Sequence, residues 1–343
     1  MTSNSHAKLP HFMATGAILA LVALAAPAAH ASHGKPGGVR AELDNGTLKV
    51  EGGNRSNAVA LRLKDGDPNR IQVDAGDDGS ADFNFARGDV RAISVAMGNG
   101  RDSVRIDDAN GTFTDTIPTT IAGGNGNDSL NGGQGAETIR GGNGDDSVDG
   151  GKGNDTGLLG RGDDRFRWDP GEGSDVIEGQ SGIDTMVFNG APVHEDVTMT
   201  ANGGRLTFFR QPANITMDTD DVEIVDFNAL GDSDNITVND LTGTDVIQTN
   251  LDLAGALGGD APDGALDDVV VNGTDGDDSI EIAGNGSGAD VTGLATAVSV
   301  THADPTDADP SDKLSVNTLA GADSVLAAGV AGVLQVLVDG SPV

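Results

Sequence analysis

Along most of this chain the apolar residues fall in short runs that alternate with polar positions, and each run closes on Gly, Asn or Asp. TLKVEGG from Thr47, RAISVAMGNG from Arg91 and DDVVVNG from Asp267 are typical. Alternation over four to eight residues with turn chemistry between runs predicts β-strands, and no long 3.6-residue period appears. Between Gly123 and Val187 the pattern tightens into nine-residue units of the form Gly-Gly-x-Gly-x-Asp-x-apolar-x: GGNGNDSLN, GGQGAETIR, GGNGDDSVD, GGKGNDTGL and LGRGDDRFR, then, after Trp168-Asp169, PGEGSDVIE and GQSGIDTMV. The eighth-position residues Leu130, Ile139, Val148, Phe166, Ile177 and Met186 should point inward from short strands and stack as a narrow core. Gly157 occupies that slot in the fourth unit, where Leu158 is expected to fill the gap through a one-residue bulge. The two residues Trp168-Asp169 interrupt the phase.

The fixed polar positions carry chemistry. Glycine permits the positive φ of a very tight turn and lets backbones approach closely. The sixth-position carboxylate supplies a hard anionic oxygen, and inward-facing turn carbonyls supply neutral ones. An all-oxygen shell of this kind suits Ca²⁺ better than Zn²⁺ or copper, which favour nitrogen and sulfur.

The stretch resembles the hemolysin-type calcium-binding (RTX) nonapeptide repeat, over about a fifth of the chain. The resemblance implies an all-β fold, a right-handed parallel β-roll or β-solenoid with two units per turn, and ions held between units two apart. Asp128 would then share an ion with Asp146, Glu137 with Asp155, and Asp146 with Asp164, while Asp175 and Asp184 carry the pattern past the interruption. Backbone carbonyls of the turns would complete each shell, through Gly124 and Gly126, Gly142 and Gly144, Gly151 and Gly153, and Gly160 and Gly162. Glu137 replaces aspartate and adds a methylene, which pushes its carboxylate past the ion.

Charge fits this picture. The formal net charge is −34, from 54 acidic and 20 basic residues, which argues against nucleic acid or anionic membranes as partners and for cations, calcium above all. Cysteine is absent, so neither disulfides nor thiol chemistry are available. Aromatics make up only 3%, sparse for a globular core but sufficient for a solenoid. Residues 1–31 read as a secretory signal, with Lys8 in the polar start, an apolar run over Phe12–Ala26 and cleavage after Ala29-His30-Ala31. The run is too short and alanine-rich for a membrane span. The expected organisation is therefore a leader (1–31), a β-rich region (32–122), the calcium roll (123–190) and a second β-rich, solenoidal region (191–343), in a secreted or periplasmic protein. Short strands with turns do not by themselves separate a solenoid from a β-sandwich in the flanks. Gly98-Asn-Gly-Arg-Asp102-Ser-Val104 reads as a degenerate turn without metal, and unit-like pieces recur around Asp234, Asp278 and Asp323.

Other chemistry is thin. His194-Glu195 lacks the second histidine of a zinc-protease helix, no Gly-x-Ser-x-Gly elbow appears, and no phosphate loop forms around Lys152. The Arg-Gly-Asp triplets at Arg87 and Arg161 are products of composition. The function expected is an exported calcium-binding repeat protein whose ions drive folding. The alternatives are a calcium-dependent adhesin with a cell-surface or matrix partner, and a secreted hydrolase carrying the roll as a module.

Overall fold

Runs of four to eight residues ended by a glycine-aspartate turn leave the chain little choice but to coil, each run delivering one strand and each turn redirecting the next. The computed structural model describes residues 38–305 and 311–343; the leader read in residues 1–31 lies outside them. The coils build two sheets, one of fifteen strands and one of fourteen, and the chain passes between them turn after turn. In the repeat stretch the first sheet receives Thr119–Asn125, Thr138–Asn143, Thr156–Arg161 and Val176–Ser181, side by side and parallel. The second receives Ser129–Asn131, Ser147–Asp149, Arg165–Trp168 and Thr185–Asn189 in the same manner. Two units thus make one coil of a parallel β-roll.

The eighth-position residues form the core as expected, with Leu130, Ile139, Val148, Phe166, Ile177 and Met186 all fully buried. Val148 stands level with Leu130 on one side and Phe166 on the other. The fourth unit departs from expectation. Thr156–Arg161 pairs with Thr138–Asn143 without a bulge, so Gly157 sits level with Ile139 and Leu158 does not turn inward. Phe166 takes the space instead, since a Cβ on Gly157 would lie 2.8 Å from its ring. Leu159, in a slot usually held by glycine, is also fully buried. The Trp168-Asp169 insertion does not break strand register either: Trp168 faces Phe188 and Val176 pairs with Thr156, so the extra residues are absorbed in the turn.

Both sheets continue through the flanks. Thr47–Gly53 and Ala92–Asn99 extend the first sheet toward the N-terminus, and Asn235–Val238, Asp268–Asn272 and Lys313–Asn317 extend it toward the C-terminus, all parallel. An antiparallel meander of Ala58–Lys64, Asp67–Ala75 and Phe83–Ala86 forms the N-terminal edge of the second sheet, and two further antiparallel meanders interrupt the coil beyond the repeats. Asp196–Asn202, Arg205–Gln211 and Ile215–Asp220 widen the first sheet, and Ser279–Gly284, Ala289–Thr292 and Ala297–Thr301 widen the second, so neither outgrows the other. Beneath the meander of residues 196–220 Trp168 stacks on Phe188 with centroids 4.0 Å apart and planes 7° from parallel, and Phe208 and Phe227 complete the cluster. Stacked and edge-on ring contacts of this kind add to the stabilisation that burial alone provides. Outside the core, asparagines stack along the coil axis: the Asn143 amide donates to Asn125 (2.7 Å) and that of Asn125 to Asn99 (2.6 Å), while Asn317, Asn272 and Asn239 repeat the device near the C-terminus.

Candidate metal centre

Every sixth-position acid of the repeats stands at a bend between sheets, and the bends align in two rows. In one row the Asp128 N–H donates to Asp146 Oδ1 (2.7 Å), the Asp146 N–H to Asp164 Oδ1 (2.6 Å) and the Asp164 N–H to Asp184 Oδ1 (2.8 Å). On the opposite edge the Glu137 N–H donates to Asp155 Oδ1 (2.6 Å) and the Asp155 N–H to Asp175 Oδ1 (2.8 Å). The structure therefore brings together acids two units apart, Asp128 with Asp146, Glu137 with Asp155 and Asp146 with Asp164, and carries both rows across the insertion.

One oxygen of each aspartate is satisfied by the neighbouring coil; the other is left over. Oδ2 of Asp128, Asp146, Asp155, Asp164, Asp175 and Asp184, and Oε1 of Glu137, are buried without a hydrogen-bond partner. No residue of the seven is more than 3% exposed. Among the described residues no lysine, arginine or histidine forms an ion pair with any of them. A buried carboxylate without a counter-charge costs several kcal/mol. Loss of hydration accordingly raises their affinity for protons, pushing Asp128 and Asp164 up to about 6, Asp146, Asp175 and Asp184 to about 7, and Asp155 to about 9. Neighbouring carboxylates add to the effect at Asp146 and Asp155.

The turns supply the remaining oxygens. Gly124, Gly126, Gly142, Gly144, Gly153, Gly160 and Gly162 adopt φ between +115° and +127°, and Gly151 +80°. At Gly142 an added Cβ would lie 2.1 Å from the Gly124 carbonyl oxygen, and at Gly160 it would lie 2.1 Å from that of Gly142, so only glycine permits carbonyls to stack this closely. Buried anionic oxygens beside stacked carbonyls, with no nitrogen or sulfur donor, are a donor set that fits Ca²⁺. Glu137 is the exception within the rows. Its extra methylene lets the carboxylate curl back so that Oε2 accepts the Gly133 N–H of its own turn (2.8 Å), and Gly133 and Gly135 lie outside the left-handed region.

Sequence reasoning missed one member. Asp102, placed in a turn read as degenerate, extends the first row: its N–H donates to Asp128 Oδ1 (2.7 Å), its own Oδ2 is buried and unpartnered, and burial raises its pKa. The signal was the Asp-Ser-Val echo after Gly98 and Gly100, whose φ values of +96° and +135° match the turn. The row ends where the Asp184 N–H meets Glu223 Oε2 (2.7 Å). A separate group, Asp149, Asp169 and Glu172, converges at the insertion, but Arg167 pairs with both aspartates there. His194 is exposed, with Nδ1 against the Ser233 carbonyl, and Glu195 is buried against Arg210, so that pair has no metalloprotease geometry.

Comparison with known families agrees with this geometry. The family model of the RTX calcium-binding nonapeptide repeat matches in four copies, over residues 119–142, 132–166 and 170–187. A search of curated proteins returns no match. The chain carries RTX repeats, whose cofactor is calcium. No helix among the described residues is long and apolar enough to cross a membrane.

Proposed function

We propose that this is an exported protein in which calcium drives the roll to fold, and that the ligands are the carboxylates of Asp128, Asp146, Asp164 and Asp184 on one edge and Glu137, Asp155 and Asp175 on the other, with the turn carbonyls. The observation that carries the reading is the file of buried, unpartnered carboxylate oxygens, one per coil on each edge. Bound calcium supplies the positive charge that the chain does not place there. The chain's part is to hold the anionic oxygens in register through the N–H donated by the preceding coil, and to exclude water by stacking glycine against glycine. Without an ion, burying a row of like charges opposes coil closure, so binding and folding are one event. With neutral carbonyls dominating each shell, individual affinities should lie in the weak extracellular range, on the order of 10⁻⁴ M. Such sites are empty in a low-calcium compartment and filled outside the cell, which joins the metal chemistry to the leader read at residues 1–31.

The test is a calcium titration monitored by far-UV circular dichroism, with magnesium as control and Asp128→Ala, Asp146→Ala and Asp164→Ala combined as comparison. A calcium-specific, cooperative gain of β signal that the triple variant weakens supports the proposal. An equal response to magnesium, or none, overturns it. A second reading, in which the stiffened roll presents a partner-binding end, draws support from the strand Ser324–Ala328 at one end of the second sheet: among the described residues it pairs only with Ser279–Gly284, and Leu326 on it is 62% exposed. Calcium-dependent attachment to cells that Leu326→Asp abolishes would favour it.

A further inference from the structure

The last strand of a sheet leaves its outer N–H and C=O groups unpaired, and proteins shield such edges with charge, proline or shortness. Three of the four sheet ends here are shielded in that way. The first sheet begins at Arg40–Asp44, which carries Arg40, Glu42 and Asp44, and finishes at the two-residue strand Ser341–Pro342, whose proline has no N–H to offer. The second begins at Phe83–Ala86, four residues that run straight into Arg87 and Asp89. Its other end is bare. Ser324–Ala328 reads Ser-Val-Leu-Ala-Ala, without charge or proline, and among the described residues it pairs on one side only, in parallel with Ser279–Gly284.

Both faces of that strand are unfinished. On the outer face Leu326 stands in solvent. On the inner face Val325 and Ala327 are level with Ile280 and Ile282, which are fully buried, yet they are themselves only partly buried against the core. The last layer of the core is therefore open at this end. Charge narrows what can cover it. Residues 324–338 are the longest uncharged stretch among the described residues of a chain whose formal net charge is −34. Two such chains repel over most of their surfaces, so their approach is least opposed where charge is missing. A basic partner, by contrast, finds no acid on this strand to recognise.

We infer that Ser324–Ala328 pairs with the same strand of a second copy, antiparallel and about a twofold axis that passes through Leu326 perpendicular to the sheet. Leu326 then faces Leu326 of the second copy on the outer side, and each Val325 faces an Ala327 on the inner side, so apolar contacts form on both faces and no like charges oppose one another across the ladder. The inner pairs carry the core of one molecule into the next. Because the same patch serves both copies, the contact closes as a dimer and does not propagate into a fibre. Pro342 denies the first sheet an equivalent ladder, so the joint rests on the second sheet alone. It shares its strand with the partner-binding reading above, but it requires neither a cell surface nor an ion in the repeats.

Sedimentation velocity of the full chain in calcium tests the joint, comparing the native sequence with Leu326→Glu and Leu326→Lys over a range of protein and salt concentrations. The native chain should pass from monomer to dimer as its concentration rises. It should do so more readily at about 0.15 M salt than at about 0.01 M, because the screening length falls from about 30 Å to about 8 Å and the repulsion between the two anionic bodies weakens. Each variant alone should sediment as a monomer, since like charges meet at the axis, and an equimolar mixture of the two should regain the dimer, since Glu then faces Lys. Leu326 is exposed, so neither change disturbs the core, and circular dichroism verifies that both variants fold. A native chain that stays monomeric throughout, a dimer that survives Leu326→Glu, or variants that do not recombine would overturn the pairing. Cell attachment by a chain that sediments only as a monomer would remove the dimer and leave the partner-binding reading standing.

Discussion

Asp146 is an acid buried with one oxygen bonded and no counter-charge, and its proton affinity bears the cost. In the folded, metal-free chain its carboxyl titrates at about 7, against about 3.8 when unfolded. The folded state then holds the proton more tightly, so stability from this group is fully present below about pH 4 and is lost as pH rises through the folded value. The same sign applies at Asp128 and Asp164, raised to about 6, and at Asp155, raised to about 9. Chelator-treated protein should therefore hold more β structure and a higher urea midpoint at about pH 5 than at about pH 8, and calcium affinity should fall over the same descent in pH, since protons compete for the same oxygens. A metal-free stability that is flat or rising with pH over that interval would contradict this account. Asp146→Asn separates charge from shape: it keeps an acceptor for the Asp128 N–H but cannot repel its neighbours. Its melting temperature without calcium should exceed that of the native chain, while the increase produced by calcium should shrink.

The strand and its turn are the unit in which the repeats fold, and Gly142 is where the two meet. A methyl there must displace the Gly124 carbonyl and adopt a φ of +123°. Gly142→Ala should cost about 2 kcal/mol or more and disrupt the ions on both sides of it, read as a lower urea midpoint in calcium and a right-shifted titration. Much at this level was legible in the sequence. The eighth-position residues entered the core because a period of two in a short strand leaves one inward position per unit, and the Gly-Asp phase located both acid rows. What was hidden depends on volume and on distant pairing. Gly157 looked like a gap to be filled by Leu158, yet Phe166 on the facing sheet reached it, and no local pattern reports a neighbour one strand away. The meanders were equally invisible, because their strands alternate like any others and only pairing direction distinguishes them.

In the complete molecule the two sheets are shared by the repeats and their flanks, so a coil that orders gives the next coil both a hydrogen-bonding edge and an apolar face. Nearest-neighbour coupling of this kind makes the calcium transition steep. Hydrogen exchange measured during titration should show amides of Thr138–Asn143 and Thr156–Arg161 becoming protected over the same narrow calcium range; protection arriving coil by coil at well separated concentrations would mean that the turns fill independently. The sequence's single tryptophan lies at the junction of the repeats and the meander that follows them. Trp168 is fully buried, stacked on Phe188 with Arg210 5.6 Å from the ring centre, and its indole N–H is bonded to the Gly173 carbonyl at 2.8 Å, in the same turn that carries Asp175. A cation drawing on the oxygens of that turn changes the field along the indole and the water around it, so the chain contains an intrinsic optical probe at the point where its metal-dependent half joins the rest. Emission wavelength and lifetime then report closure of that joint with no label attached.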